Sequence, residues 1–139
     1  NGGSQVKAAA IPVAVEDDGN SSKLLDSAIA KIKANKIPSA IADLKEVINS
    51  NDKTSAKEAH YYLSIAYVAD SKYSNAIDEA NKFISLSPNS KNVPDAMRVL
   101  YIAQTQMGNN SAAKATANKL LKSYPSSSAA KKVAKQINQ

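Results

Sequence analysis

Residues 63–88, LSIAYVADSKYSNAIDEANKFISLSP, return in altered form 37 residues later in the chain, and this repetition is the main evidence for the fold. The matching positions are the pairs Leu63 and Leu100, Ala76 and Ala113, and Pro88 and Pro125. An earlier unit, offset by 36 residues, aligns Ala40 with Ala76 and places Asp52 at the position of Pro88. A helix–turn–helix unit that repeats at this length predicts a helical solenoid, in which each unit buries its apolar face on its neighbour.

The apolar residues that follow Ser21 recur at helical spacing and predict an all-α chain of seven helices joined by short turns. Pro38 and Pro94 suit the first turn of a helix, where the missing N–H group of proline is harmless. One of the serines at 126–128 is expected to cap the last helix. Residues 1–20 have no helical period and are interrupted by glycine and proline. The sequence therefore predicts a flexible arm or linker over 1–20 and a repeat domain over 21–139.

The composition of the 139-residue chain excludes several classes of site. It has no cysteine, which excludes disulfides, iron–sulfur clusters and thiolate zinc sites. His60 is the only histidine, without paired carboxylates at ligand spacing, and we interpret it as a partly packed residue between repeats. No Gly-x-Ser-x-Gly motif, Walker loop or phosphate-binding glycine run occurs. We therefore expect no metal, no cofactor, no catalytic residue and no enzyme activity. No apolar run approaches the roughly 20 residues that a membrane span needs, so we expect no membrane insertion.

The charge of the chain, +6 in total, is distributed unevenly. Residues 1–95 contain eleven lysines and twelve acidic residues, whereas residues 96–139 contain seven basic residues and no acidic one. The lysines of this basic end are Lys114, Lys119, Lys122, Lys131, Lys132 and Lys135. Such a region either steers an acidic partner or is a solvated face that keeps the domain soluble. Neither aromatic residues nor glycine-rich loops accompany these lysines, so we expect no nucleic-acid binding.

The middle unit resembles a tetratricopeptide repeat. That motif has a leucine, a small residue and a tyrosine in its first helix, an alanine in its second helix and a proline at its end. The residues that meet it are Leu63–Ser64, Tyr67, Tyr73, Ala76 and Pro88. The third unit departs from the motif at Tyr101 and Gln104. The resemblance implies a right-handed helical solenoid of three helix–turn–helix repeats plus a C-terminal capping helix.

A narrower resemblance lies in the segments that join the repeats. Pro88–Asn89–Ser90 followed by Pro94–Asp95–Ala96, and the closing segment 124–131, are similar to the Tol–Pal system protein family YbgF/CpoB. That resemblance implies a non-enzymatic periplasmic adaptor, with a signal peptide in its precursor, that coordinates envelope constriction and peptidoglycan synthesis in cell division. It implies a TolA-like periplasmic segment as partner, and a trimerising coiled coil in full-length members.

Two expectations qualify this resemblance. The chain has no heptad run, so we expect this segment to be monomeric even where the full-length protein is a trimer. The outer-membrane assembly lipoprotein BamD has similar linkers. A structural scaffold of an outer-membrane assembly complex is therefore the alternative function.

A repeat solenoid binds its partners on the concave face, which the first helix of each repeat lines. In the register of the motif, the residues that point there are Leu25, Ile29, Ile32, Tyr61, Ile65, Val68, Arg98, Ile102 and Thr105. We expect the first three to belong to the core and the other six to form a groove for an extended or helical partner segment, with Tyr61 and Arg98 as anchors. The alternative is that part of this stripe packs against the following repeat or the last helix.

Overall fold

The computed structural model describes residues 19–138, which form seven α-helices and no β-strand. The helices are α1 (Asn20–Lys33), α2 (Ile37–Ile48), α3 (Lys53–Ala69), α4 (Tyr73–Leu86), α5 (Val93–Gln106), α6 (Asn110–Ser123) and α7 (Ser128–Ile137). The predicted all-α class and number of helices are confirmed. The predicted arm over 1–20 lies outside the described residues except at Gly19 and Asn20, and Asn20 already belongs to α1. Within the described range, no helix combines the length and the apolar character needed to cross a bilayer.

Proline and capping side chains determine where four of the helices begin. Pro38 and Pro94 occupy the first turns of α2 and α5, as predicted. Ser127 caps α7, since its hydroxyl accepts a hydrogen bond at 3.0 Å from the backbone N–H three residues later. Asp52, which replaces the proline of the other units, caps α3 by accepting a 3.1 Å hydrogen bond from the N–H of Ser55. Asp52 therefore marks the start of α3, whereas Pro88 and Pro125 lie in the turns that follow α4 and α6.

The same turn joins the two helices of every repeat. Asn35, Ser71 and Gly108 stand at equivalent positions with φ angles of 61°, 59° and 77°. In the middle repeat the N–H of Lys72 donates to the carbonyl of Tyr67 at 2.8 Å, and the equivalent bonds in the first and third repeats measure 2.8 and 2.9 Å. This is the bond of a Schellman motif, in which a left-handed residue reverses the chain.

The first helices of the repeats form one continuous row. α1 contacts α3, α3 contacts α5 and α5 contacts α7, whereas α2, α4 and α6 make no close contact with one another in the described part of the chain. A stack that is close on one side and open on the other curves, so the first helices line its concave face. α7 takes the place of a further first helix and buries Ala129, Ala130 and Val133 against the third repeat. The described residues therefore form three repeats and a capping helix, as predicted.

Small side chains allow the two helices of a repeat to approach closely. Ala40, Ala76 and Ala113 stand at equivalent positions of the second helices and are at most 5% exposed. A larger side chain at these positions would separate the helices. The remaining apolar residues form two clusters, one around Leu44 between the first two repeats and one around Phe83 between the last two repeats and α7.

One polar side-chain contact also joins the two helices of each repeat. The contacts are Lys31 Nζ with Asp43 Oδ2 at 2.6 Å, His60 Nδ1 with Glu79 Oε1 at 2.6 Å, and Thr116 Oγ1 donating to Gln104 Oε1 at 2.7 Å. His60, which is partly buried, therefore makes its hydrogen bond within the middle repeat. Gln104 stands where the repeat motif has a tyrosine. Its side-chain oxygen accepts a hydrogen bond from the Thr116 hydroxyl, so a polar contact takes the place of the tyrosine ring.

Replacing Ser71 by glycine is expected to stabilise the domain. The left-handed conformation costs a side-chain-bearing residue about 1–2 kcal/mol, and glycine removes this cost. The greater freedom of glycine in the unfolded chain offsets part of the resulting gain in stability. We expect a net gain of about 0.5–1 kcal/mol, and a melting temperature raised by about 2–5 °C in thermal unfolding followed by circular dichroism.

Ser27→Gly is the matched control for this variant, because Ser27 is exposed in the interior of α1. Glycine in a helix interior is expected to cost about 0.5 kcal/mol relative to serine. A Ser71→Gly variant that loses as much stability as Ser27→Gly would contradict the left-handed turn at Ser71.

Candidate functional site

The concave face contains a cavity of about 360 Å³ between α3, α5 and α7, which we call the α3–α5 groove. Its lining includes five residues that the sequence predicts for the partner site, Tyr61, Ile65, Val68, Arg98 and Ile102. Its other lining residues are Asp95, Val99 and Lys132. The structure therefore brings together side chains from the first helices of two neighbouring repeats and from the capping helix.

Thr105 is the one residue of the predicted groove that the structure does not place there. It is exposed near the end of α5, one turn beyond Ile102, and its hydroxyl donates to the carbonyl of Tyr101 at 2.8 Å. The concave face of the first repeat is also as expected, since Leu25 is buried in the cluster between the first two repeats, and Ile29 and Ile32 pack against that cluster.

The sequence patterns do not predict three residues that line the groove, Asp95, Val99 and Lys132. Asp95 and Val99 each stand three residues before a predicted groove residue on α5, so helical spacing alone places them on the same face. Lys132 has no such signal, because its position depends on how α7 packs against α5. Sequence spacing indicates which residues share a helix face, but not which helix closes a cavity.

Tyr61 belongs to both the core and the groove. The residue is 8% exposed, and its ring centroid lies 4.9 Å from that of Tyr62 and 5.3 Å from that of Phe83. Burial, helped by the charge of nearby Asp95, raises the pKa of the Tyr61 hydroxyl, which therefore stays protonated at neutral pH. Among residues 19–138 no group accepts a hydrogen bond from this hydroxyl, which is therefore a donor without a partner in this part of the chain.

Arg98 is the only arginine of the chain, and its side chain is partly buried. Its Nε atom is buried and has no hydrogen-bond partner among the described residues. Asp95 stands one turn earlier on α5, yet no ion pair joins the two side chains. Arg98 also occupies the repeat position of Leu25 and Tyr61, both of which are buried. The third repeat therefore has a charged residue where the other two have core residues.

The lysines of the predicted basic end do not share one surface. All six are exposed on α6 and α7: Lys114, Lys119, Lys122, Lys131, Lys132 and Lys135. Lys132 lines the groove, whereas Lys119 lines a second cavity of about 400 Å³ between α4, α5 and α6. Leu100 lines this second cavity and Ile102 lines the groove, and positions two residues apart on a helix are turned by about 200°. The two cavities therefore lie on opposite faces of α5.

The groove is the better candidate for specific recognition. It has three charged residues, Asp95, Arg98 and Lys132, one of which has a buried and unpartnered atom. The second cavity has one charged residue, the exposed Lys119, and its Thr116 hydroxyl already donates to Gln104. Asp95 and Lys132 are exposed, so the partly buried Arg98 is the charged group of the groove that water screens least.

The chemistry that the groove offers is hydrogen-bond donation beside apolar walls. Arg98, Lys132 and the Tyr61 hydroxyl are donors, and among residues 19–138 Asp95 is the one carboxylate of the lining. Within residues 19–138 no group of three or more His, Cys, Asp or Glu side chains is placed to hold a metal ion. The arrangement suits the binding of a segment that presents an acceptor between apolar side chains.

Comparison with known families gives a result independent of this geometry. Residues 100–127, from the middle of α5 to the turn before α7, match the tetratricopeptide repeat family. A comparison with curated proteins finds no match to the chain. The matched segment begins at Leu100 and includes Gly108, Ala113 and Pro125, which are the motif residues of the third repeat. This match and the three equivalent helix pairs together support a tetratricopeptide-like repeat domain in this chain.

Proposed function

We propose that this domain is a non-enzymatic protein–protein interaction module that binds a segment of its partner in the α3–α5 groove. Tetratricopeptide repeats in general mediate protein–protein interaction, and repeat solenoids use their concave surfaces for it. The observation that carries the proposal is the convergence in one cavity of Tyr61, Ile65, Val68, Arg98 and Ile102. Ile102 and Val99 line the groove without belonging to either core cluster, so this apolar surface is not required by the core.

The partner in this proposal is a TolA-like periplasmic segment. The domain is then part of a periplasmic Tol–Pal-associated adaptor that coordinates envelope constriction and peptidoglycan synthesis during cell division. The support is the similarity of the joining segments to those of the YbgF/CpoB family. Pro88–Asn89–Ser90 lies in the connection between α4 and α5, Pro94–Asp95–Ala96 belongs to the first turn of α5, and residues 124–131 form the turn into α7 and its first residues. The isolated domain is a monomer in this proposal, and the full-length protein a trimer.

The alternative is a structural scaffold of an outer-membrane assembly complex. The second cavity favours a scaffold function, because it is lined by α4 and α6, which are second helices and lie outside the row of first helices. A scaffold that holds its partners through this side of the solenoid would use Lys119 and the apolar side chains around it. The two functions therefore differ in which face of α5 the partner covers.

Ile102→Asp is expected to weaken binding of the periplasmic region of TolA by roughly tenfold or more, because it places a charge in the apolar part of the groove. Ile102 is a better position for this test than Tyr61, which packs on Phe83 in the core. Isothermal titration calorimetry at low and moderate salt measures the dissociation constant. Circular dichroism checks that the variant keeps its helical content.

Thr105→Asp is the matched control, because it introduces the same charge one turn further along α5 but outside the groove. We expect its affinity to equal that of the unmodified domain. Ala115→Asp tests the alternative function, since Ala115 lines the second cavity. Binding that is lost in Ala115→Asp and kept in Ile102→Asp would contradict the groove and favour the scaffold.

A further inference from the structure

We propose that the α3–α5 groove recognises an acidic side chain of the partner segment, with its carboxylate placed between Arg98 and Lys132 and with apolar residues on either side of it. The inference rests on the proposed function and names the chemistry of the segment that the groove binds. Three observations carry it: an unpartnered buried donor, an excess of donors over acceptors, and an arginine at a core position of the repeat.

The first observation is the state of Arg98. A guanidinium group has five N–H donors and no acceptor, and buried polar groups in folded proteins are almost always hydrogen-bonded. The Nε atom of Arg98 is buried without a partner among the described residues. The guanidinium group as a whole is only partly buried, but a buried N–H donor without a partner is costly, and a carboxylate is among the acceptors that arginine binds most strongly.

The second observation is the balance of charge at the groove. Arg98 and Lys132 contribute two positive charges and Asp95 one negative charge, while Tyr61 contributes an unused neutral hydroxyl donor. No acidic residue follows Asp95 in the chain, so α6 and α7 have no carboxylate of their own for these donors. An additional carboxylate from the partner gives the groove both the missing charge and the missing acceptor.

The third observation is the repeat register. Arg98 stands at the position of Leu25 in the first repeat and Tyr61 in the second, and both of these residues are buried. An apolar residue would satisfy the fold at this position without the cost of burying part of a guanidinium group. The charge at this position therefore serves something other than the packing of α5.

The apolar walls of the groove indicate that its ligand is a peptide and not a nucleic acid. Ile65, Val68 and Ile102 form an apolar surface beside the two cations. Single-stranded nucleic acids are instead bound by aromatic rings on which the bases stack. The one aromatic ring of the groove, Tyr61, already packs on Tyr62 and Phe83. The apolar surface thus suits aliphatic side chains that flank the acidic residue.

The capping helix has a double role in this arrangement. Its Ala129, Ala130 and Val133 are buried and close the apolar end of the third repeat. Lys132 stands between them in sequence and lines the groove. α7 therefore both terminates the solenoid and contributes one of the two cations that face the partner.

The test uses nuclear magnetic resonance, because a single arginine gives a single Nε–Hε signal for Arg98. The probes are the pentapeptide Leu-Ala-Glu-Leu-Ile with both termini blocked and the same peptide with glutamine in place of glutamate. We expect the acidic peptide to shift the Arg98 signal saturably and to bind at least roughly tenfold more tightly than its glutamine counterpart, as a charge-assisted hydrogen bond requires. Equal affinity of the two peptides, or no shift by the acidic peptide at millimolar concentration, would overturn the inference.

Variants of the two cations test the same contact. Lys132→Gln is expected to weaken binding of the acidic peptide several-fold, whereas Lys119→Gln, on the opposite face of α5, is expected to leave it unchanged. Arg98→Lys keeps the charge but removes the Nε donor, so we expect it to reduce the preference for glutamate over glutamine. Equal effects of the two lysine variants would show that the peptide responds to overall charge and not to this groove.

Failure of this inference is distinguishable from failure of the proposed function. If both peptides bind equally and Ile102→Asp abolishes both interactions, the groove is a binding site but does not select an acidic side chain. If Ile102→Asp has no effect on the periplasmic region of TolA or on the peptides, the groove itself is wrong. A single-stranded oligonucleotide that shifts the Arg98 signal at lower concentration than the acidic peptide would overturn the assignment to a peptide.

Discussion

In each repeat the two helices approach each other closely at an alanine, and the turns and the stacking of the repeats follow from this approach. Ala40, Ala76 and Ala113 are buried almost completely in their repeats, so the first and second helices of each pair lie close together. Helices this close require a short connection, which a left-handed residue provides two positions after the first helix ends. The pairs then stack through their first helices, and this row is where the α3–α5 groove forms.

Most of the fold follows from signals that are local in the sequence. Proline in a first turn, serine before the last helix and a repeat period of 36 or 37 residues each act within one unit, and the structure agrees with each of them. The contacts between paired helices do not follow in this way. Gln104 departs from the repeat motif, and only its hydrogen bond with Thr116 on the next helix explains why the third repeat accepts it. The family match at 100–127 shows that this departure leaves the repeat recognisable.

The groove was predictable to the extent that one helix face determines it. Spacing on α3 and α5 was sufficient for five of its residues, because side chains three or four positions apart share a face. Helical spacing wrongly predicts Thr105 in the groove, because a helix face continues to the end of the helix whereas the cavity ends before it. It also fails for Lys132, whose place depends on the packing of α7 on α5 and α6. The packing of α7 thereby brings Lys132, which the sequence places in a basic end, to the cavity that Arg98 also lines.

The packing of the fold does not require the charge of Arg98. A leucine at its position would bury apolar surface, as Leu25 does in the first repeat, without loss of hydration of a charged group. The arginine instead leaves a buried N–H without a partner, and Asp95, the nearest carboxylate on the same helix, forms no ion pair with it. Within residues 19–138 nothing compensates this cost. Local rules of packing are broken mainly where a protein binds or acts on something, and this is the reason for our proposal that a partner segment supplies the acceptor.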